Sequence, residues 1–171
     1  MKLHPESSRM FRRNEEVERA KTYAYRLLNS RAYTHQEIVQ KLKGQRFSID
    51  AIKETMETLK RLGLVDDAEY AKRWVAERLK NRPMGRMMME RELHQKGIAE
   101  GLVDLALDEM LAGVDFEELA LDLLRGRLDR YRNIEKSKAV SRMYGFLGRR
   151  GFHRSICTAA CEQAWEEIQT S

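Results

Sequence analysis

The chain has 171 residues, of which 42% are hydrophobic and 35% charged, with only two prolines and a formal net charge of +5. Such a length allows one domain or a row of small modules, and a charge-rich, breaker-poor chain favours helices with large wet surfaces over a thick-cored sheet protein. No apolar run reaches the roughly 18 residues that a membrane span needs. The first residues, Met1-Lys2-Leu3-His4-Pro5, contain no apolar stretch of a secretory signal, and with two cysteines this leads to the expectation of a reducing, cytoplasmic setting.

Taken in order, residues 1–14 are polar and basic, with Arg9, Arg12 and Arg13, and read as a mobile arm. A first module spans 15–63. Its first helix turns Ala20, Ala24, Leu27 and Leu28 inward. Thr34 with Glu37 forms a capping box that opens a second helix, with Ile38 and Leu42 inward. Gly44 ends that helix, Ser48 caps a third carrying Ile52, Met56 and Leu59, and Gly63 closes it. A second module spans 64–112. Asp66 with Glu69 caps a helix whose Tyr70, Ala71, Trp74, Val75, Arg78 and Leu79 recur at helical spacing. Pro83 ends it, Gly85 lets the chain turn, and Met89 and Leu93 face inward on the next helix up to Gly97. Ala99 to Leu111 supplies the third, with Val103, Leu107 and Met110. The third module, 113–171, starts at Asp115, capped with Glu118, and carries Ala120, Leu124 and Leu128. A helix from about Ile134 to Arg149 follows, with Met143 and Leu147 inward. The last follows Phe152 and carries Cys157, Cys161 and Ala164.

These modules are repeats in register. Leu42, Leu93 and Leu147 stand four residues after Ile38, Met89 and Met143, and five before Phe47, Ile98 and Phe152. Five and nine residues beyond those anchors come Ile52, Val103 and Cys157, then Met56, Leu107 and Cys161. The expected fold is all-α: three tandem three-helix, helix-turn-helix-like repeats forming an elongated array, straight or curved.

No His-Glu-x-x-His, phosphate-cradling glycine loop, Gly-x-Ser-x-Gly or Cys-x-x-Cys motif occurs, so the expectation is no enzyme, no metal and no cofactor. Asp66-Asp67 reads as a helix cap rather than a catalytic carboxylate pair. Cys157 and Cys161 could share a metal with His153, but they occupy repeat-equivalent core positions and read as buried thiols.

Charge is more informative. Ala99 to Asp122 holds eight acids and no Lys or Arg. Lys72 to Lys96 holds eight bases and three acids, and Arg125 to Arg154 ten bases and two acids. At 100° per residue from Leu147, Lys138, Arg142 and Arg149 all fall on the side away from the core, with Gly145 among them. This is a one-sided basic stripe suited to phosphate or an acidic protein surface. The same count from Leu93 puts Met87, Met88 and Arg91 away from their module's own core, as adaptable partner surface or as packing against a neighbouring module. Arg73, Arg82, Arg86, Lys96 and Arg150 complete the candidates from the two basic blocks.

Gly63-Leu64-Val65-Asp66-Asp67, Tyr70-Ala71, Gly85, Glu92-Leu93 and Lys96-Gly97-Ile98, followed by Tyr144-Gly145-Phe146-Leu147 and Arg150-Gly151-Phe152, resemble the signatures of the RecX family of bacterial recombination regulators. The similarity runs from about Ala20 to about Trp165. One departure is the turn Asn81-Arg82-Pro83-Met84-Gly85, where the family often has glycine on both sides of the centre. The resemblance implies binding to the RecA recombinase and its filament on single-stranded DNA, inhibition of strand exchange, ATP hydrolysis and coprotease activity, and insertion into the filament groove. A monomer with weak direct DNA binding accompanies that expectation. The alternative is a helix-turn-helix repressor that binds duplex DNA directly.

Overall fold

The computed structural model describes residues 5–170, with side chains from residue 10 onward. The described residues form helices and turns, with no strand among them. The helices are α1 (Pro5–Ser30), α2 (His35–Gly44), α3 (Ile49–Arg61), α4 (Asp67–Asn81), α5 (Arg86–Gln95), α6 (Glu100–Met110), α7 (Phe116–Arg125), α8 (Lys136–Arg149) and α9 (Arg154–Thr170). A 3₁₀ turn, Leu128–Arg130, lies between α7 and α8. No described helix is long and apolar enough to cross a membrane.

The caps explain why helices start where they do. Thr34 and Glu37 form a reciprocal capping box on α2, and Ser48 caps α3. Asp66 accepts from the Glu69 N–H at 3.0 Å, and Asp115 accepts from the N–H groups of Glu117 and Glu118. Each satisfies donors that a helix N-terminus leaves unpaired. The repeat-equivalent Leu42, Leu93 and Leu147 are all 0% exposed, as are Ile38, Met89 and Met143. The arm expected at 1–14 is different: from Pro5 onward the chain is the start of α1, with proline at the first helical position where its missing N–H costs nothing. Arg13 reaches Asp50 at 3.8 Å and Glu54 at 4.0 Å on α3. Met1 to His4 lie outside the described residues.

Packing gathers the described residues into two compact units, one running up to Ala71 and including Gln95–Leu102, the other Lys72–His94 with the residues from Val103 onward. In the first, Ala20, Ala24, Ile38, Leu42, Ile52, Met56 and Leu59 form the core, where α1, α2 and α3 meet. In the second, α7 and α8 pack on α9 around Leu121, Leu124, Met143, Leu147, Phe152 and the two cysteines.

The turn after the middle helix takes the same backbone shape three times. Arg46, Gly97 and Gly151 each stand four residues after their leucine and have φ of 63°, 80° and 78°. Gly44 is therefore only the last residue of α2, and Arg46, not a glycine, takes the left-handed position. A side chain at Gly97 would overlap Gln36, and one at Gly151 would overlap the start of α5 at Met88. Arg46 is exposed, so its side chain meets no such obstacle.

Candidate functional site

Helix α8 starts on Glu135, whose carboxylate accepts from the Ser137 and Lys138 N–H groups and from the Ser137 hydroxyl. The Ser137 hydroxyl and N–H hold this carboxyl below its ordinary pKa. With the start fixed, Ala139, Met143 and Leu147 are buried, which turns Lys138, Arg142 and Arg149 outward. None of these three forms an ion pair among the described residues. Gly145 leaves room for Arg149: a methyl there would stand 3.3 Å from its Nη1. Part of the surrounding basic block is neutralised. Arg125 is held by Glu118, Asp122 and Glu167, and Arg132 by Asp129. The stripe on α8 is not.

Beside Arg149 lies a cleft of about 250 Å³, lined by Arg82, Met84, Met88, Glu92, Phe146 and Arg150 as well. Arg150 Nη1 donates to the Pro83 carbonyl at 3.1 Å, and its guanidinium carbon lies 4.8 Å from the Phe146 ring centre. Arg127 approaches the same ring to 4.3 Å, and its Nε is buried with no partner among the described residues. Burial, then the charges of Arg82 and Arg127, push the Arg150 pKa down. Glu92, the acid of the cleft, is already engaged by Arg78 at 3.4 Å. The cleft therefore gathers guanidinium charge without matching carboxylates. Planar N–H forks of this kind recognise phosphate or carboxylate oxygens.

The sequence candidates separate accordingly. Arg82, Met88, Arg149 and Arg150 come together in the cleft, and Lys138 and Arg142 extend the stripe along α8. Met87 is 60% exposed, whereas Met88 is half-buried and packs at Gly151. Arg91 is exposed and unpaired among the described residues. Arg86 pairs with Asp108 at 2.7 Å, and Arg73 is exposed but engaged. Lys96 sits in the first unit, 3.3 Å from Glu37 and 5.6 Å from the Tyr70 ring centre, half-buried. Burial would lower its pKa, but Tyr70 and Glu37 outweigh this and raise it. It is a structural lysine there. Arg127 and Phe146 were absent from the candidates. The i,i+4 spacing of Phe146 on α8 and Arg150 at its C-cap is a readable signal for the ring, but nothing local points to Arg127.

Cys157 and Cys161 are free and buried, and no three His, Cys, Asp or Glu side chains gather into a metal site among the described residues. Burial raises both thiol pKa values, that of Cys161 to about 12, with Cys157 and Glu162 adding to it.

Comparison with known proteins agrees with this architecture. Residues 20–59 match the family model described as RecX, first three-helix domain, and residues 66–107 the one described as RecX, second three-helix domain. The chain is 36% identical over 129 residues to Regulatory protein RecX of Chlorobium phaeobacteroides, covering 75% of this chain and 82% of that protein. It is 29% identical over 151 residues to Regulatory protein RecX of Streptomyces coelicolor, covering 88% and 80%. Two crystal structures share the fold. One of regulatory protein RecX has a TM-score of 0.79 at 23% identity, over 100% of this chain and 80% of that one. One of RecX from Lactobacillus salivarius has a TM-score of 0.75 at 20% identity, over 92% and 99%. With its tandem three-helix repeats and its similarity to these regulatory proteins, the chain belongs to the RecX family.

Proposed function

We propose that this chain is a non-enzymatic regulator that binds the RecA filament on single-stranded DNA and inhibits it. The carrying observation is the unpaired basic surface of α8 and its cleft, where Lys138, Arg142, Arg149, Arg150 and Arg82 offer cations that no described carboxylate neutralises. A recombinase filament presents both DNA phosphate and acidic protein surface, and either suits such cations. The family resemblance supplies the partner, and the regulatory role of RecX relatives supports the reading.

The test is inhibition of filament ATP hydrolysis and strand exchange by the parent and by Lys138→Ala/Arg142→Ala/Arg149→Ala. The triple variant is expected to keep its helix content, since all three side chains point outward, and to inhibit less, most clearly at low salt where screening is weak. Inhibition equal to the parent across a salt series would remove the stripe from the mechanism. Tight, sequence-specific binding of bare duplex by the parent would favour the repressor reading instead.

A further inference from the structure

The first triplet carries an apolar groove. Between α2 and α3, Val39, Ile49, Ile52 and Met56 line a groove of about 410 Å³. Ile49 is the first residue of α3 and is 81% exposed. Lys43, Lys53 and Lys60 stand around the groove, and none of them forms an ion pair among the described residues.

Register shows that this is not a general property of the repeat. Counted from the buried leucine, Val39 and Ile49 correspond to Glu90 and Glu100 in the second triplet and to Tyr144 and Arg154 in the third. Lys53 corresponds to Asp104 and Thr158. His35 and Glu57, also at this groove, correspond to Arg86 and Asp108, which close the second triplet's equivalent face with a 2.7 Å ion pair. His35 and Glu57 form no such pair among the described residues. The same scaffold is thus bridged by charge in one copy and left open, apolar and lysine-rimmed in another.

We infer that this groove docks a short acidic amphipathic helix of a partner protein. An apolar floor takes the i, i+3 and i+4 side chains of such a helix, and flanking lysines select acids on its margins. A nucleic acid is disfavoured because the groove's lining holds one imidazole, His35, and no phenylalanine, tyrosine or tryptophan to stack successive bases. One acid, Glu57, stands against three lysines and the rim of a basic chain, so charge complementarity points to an acidic occupant.

The experiment uses the full chain and a fluorescein-labelled helical peptide of about 14 residues, with leucines at helical spacing flanked by glutamates. A matched peptide has lysines in place of the glutamates. Fluorescence anisotropy is expected to show binding of the acidic peptide only. Ile49→Asp and Lys53→Glu/Lys60→Glu should each weaken it about tenfold or more, and the double charge reversal should gain the lysine-flanked peptide. Aspartate at the first helical position suits the helix dipole, so folding is retained and checked by circular dichroism. No binding, or equal binding by parent and Ile49→Asp, would overturn the proposal. So would self-association in sedimentation velocity that disappears on Ile49→Asp, which would make a second copy the occupant. Binding of a labelled oligothymidine that falls with Lys53→Glu/Lys60→Glu while the peptide is unaffected would assign the face to nucleic acid and overturn it too.

Discussion

The Thr34 hydroxyl donates to the Lys96 carbonyl at 2.7 Å, joining the start of one middle helix to the turn that ends the next. Eight residues before the second leucine, Gly85 does the same with its backbone: its N–H donates to the Arg150 carbonyl at 2.8 Å. Thr34 and Gly85 hold one repeat position, and Lys96 and Arg150 another. The same connection is made once by a side chain and once by the main chain.

Thr34 is fully buried, and its oxygen also accepts from the Glu37 N–H at 3.2 Å. Thr34→Val keeps the shape and removes both bonds. It is expected to cost about 2 kcal/mol, from the missing cap and the missing hydrogen bond. Thr34→Ser should recover most of that. Equal urea midpoints for Val and parent would show that the hydroxyl contributes nothing.

Glu37 gives the same junction a pH dependence. Burial alone would raise its pKa, but the Thr34 N–H, Lys96 and Arg31 outweigh burial and lower it below 4.5. A folded pKa below the unfolded one means that the carboxylate stabilises fully above the ordinary value and that this is lost as pH falls below 4.5. Glu37→Gln should therefore be less stable than the parent at neutral pH and should lose less stability on acidification. Parallel stability–pH curves would contradict this.

Gly85 can use its backbone only because it lacks a side chain. A Cβ there would overlap the Gly151 carbonyl and the Phe152 nitrogen, both main-chain atoms that cannot swing aside. Gly85→Ala is expected to cost about 1–3 kcal/mol or more. Gly44→Ala is the control: nothing lies within 4 Å of its added methyl, and helix propensity should make it neutral or stabilising by about 0.5–1 kcal/mol. Similar thermal midpoints for the two variants would remove the close approach as the reason for glycine at 85.

What the sequence shows on its own follows from how local each determinant is. The caps at Thr34, Ser48, Asp66 and Asp115 need only residues within one turn, and the buried leucines need only helical periodicity. The three-triplet register was legible for that reason. The left-handed Arg46 was not, because glycine is the usual marker of that conformation, and Gly44 stood nearby as a false one. The polar start of α1 reads as a tail until Arg13 is seen beside Asp50 and Glu54. In the candidate site, the α8 stripe was legible as angles on one helix. The cleft was not, since Arg82, Arg127 and Arg150 come from three separate segments.

The cysteines allow a direct chemical check. Both are buried, and with the Cys161 pKa at about 12 almost no thiolate exists near neutrality. Native protein at pH 8 should react slowly with a thiol reagent, and denaturant should release both thiols. Fast native labelling, or stoichiometric zinc that disappears on Cys157→Ser, would contradict a purely packing role.

The stripe and the cleft can be told apart by salt. On single-stranded DNA, each phosphate that is no longer neutralised should reduce the slope of log affinity against log salt by about 0.7. If Lys138 and Arg142 touch phosphate, their double alanine variant should lower the slope by about 1.4. Arg82→Ala tests the cleft separately. It is exposed, its charge is one of those that depress Arg150, and it forms no ion pair among the described residues. If the cleft holds a phosphate, Arg82→Ala should reduce the slope by about 0.7 and leave the fold intact. If the cleft instead receives a carboxylate of the recombinase, Arg82→Ala should leave DNA affinity and its slope unchanged while inhibition of the filament falls. An Arg82→Ala variant equal to the parent in both measurements would show that the gathered arginines of the cleft serve neither partner, and binding would then rest on the α8 stripe alone.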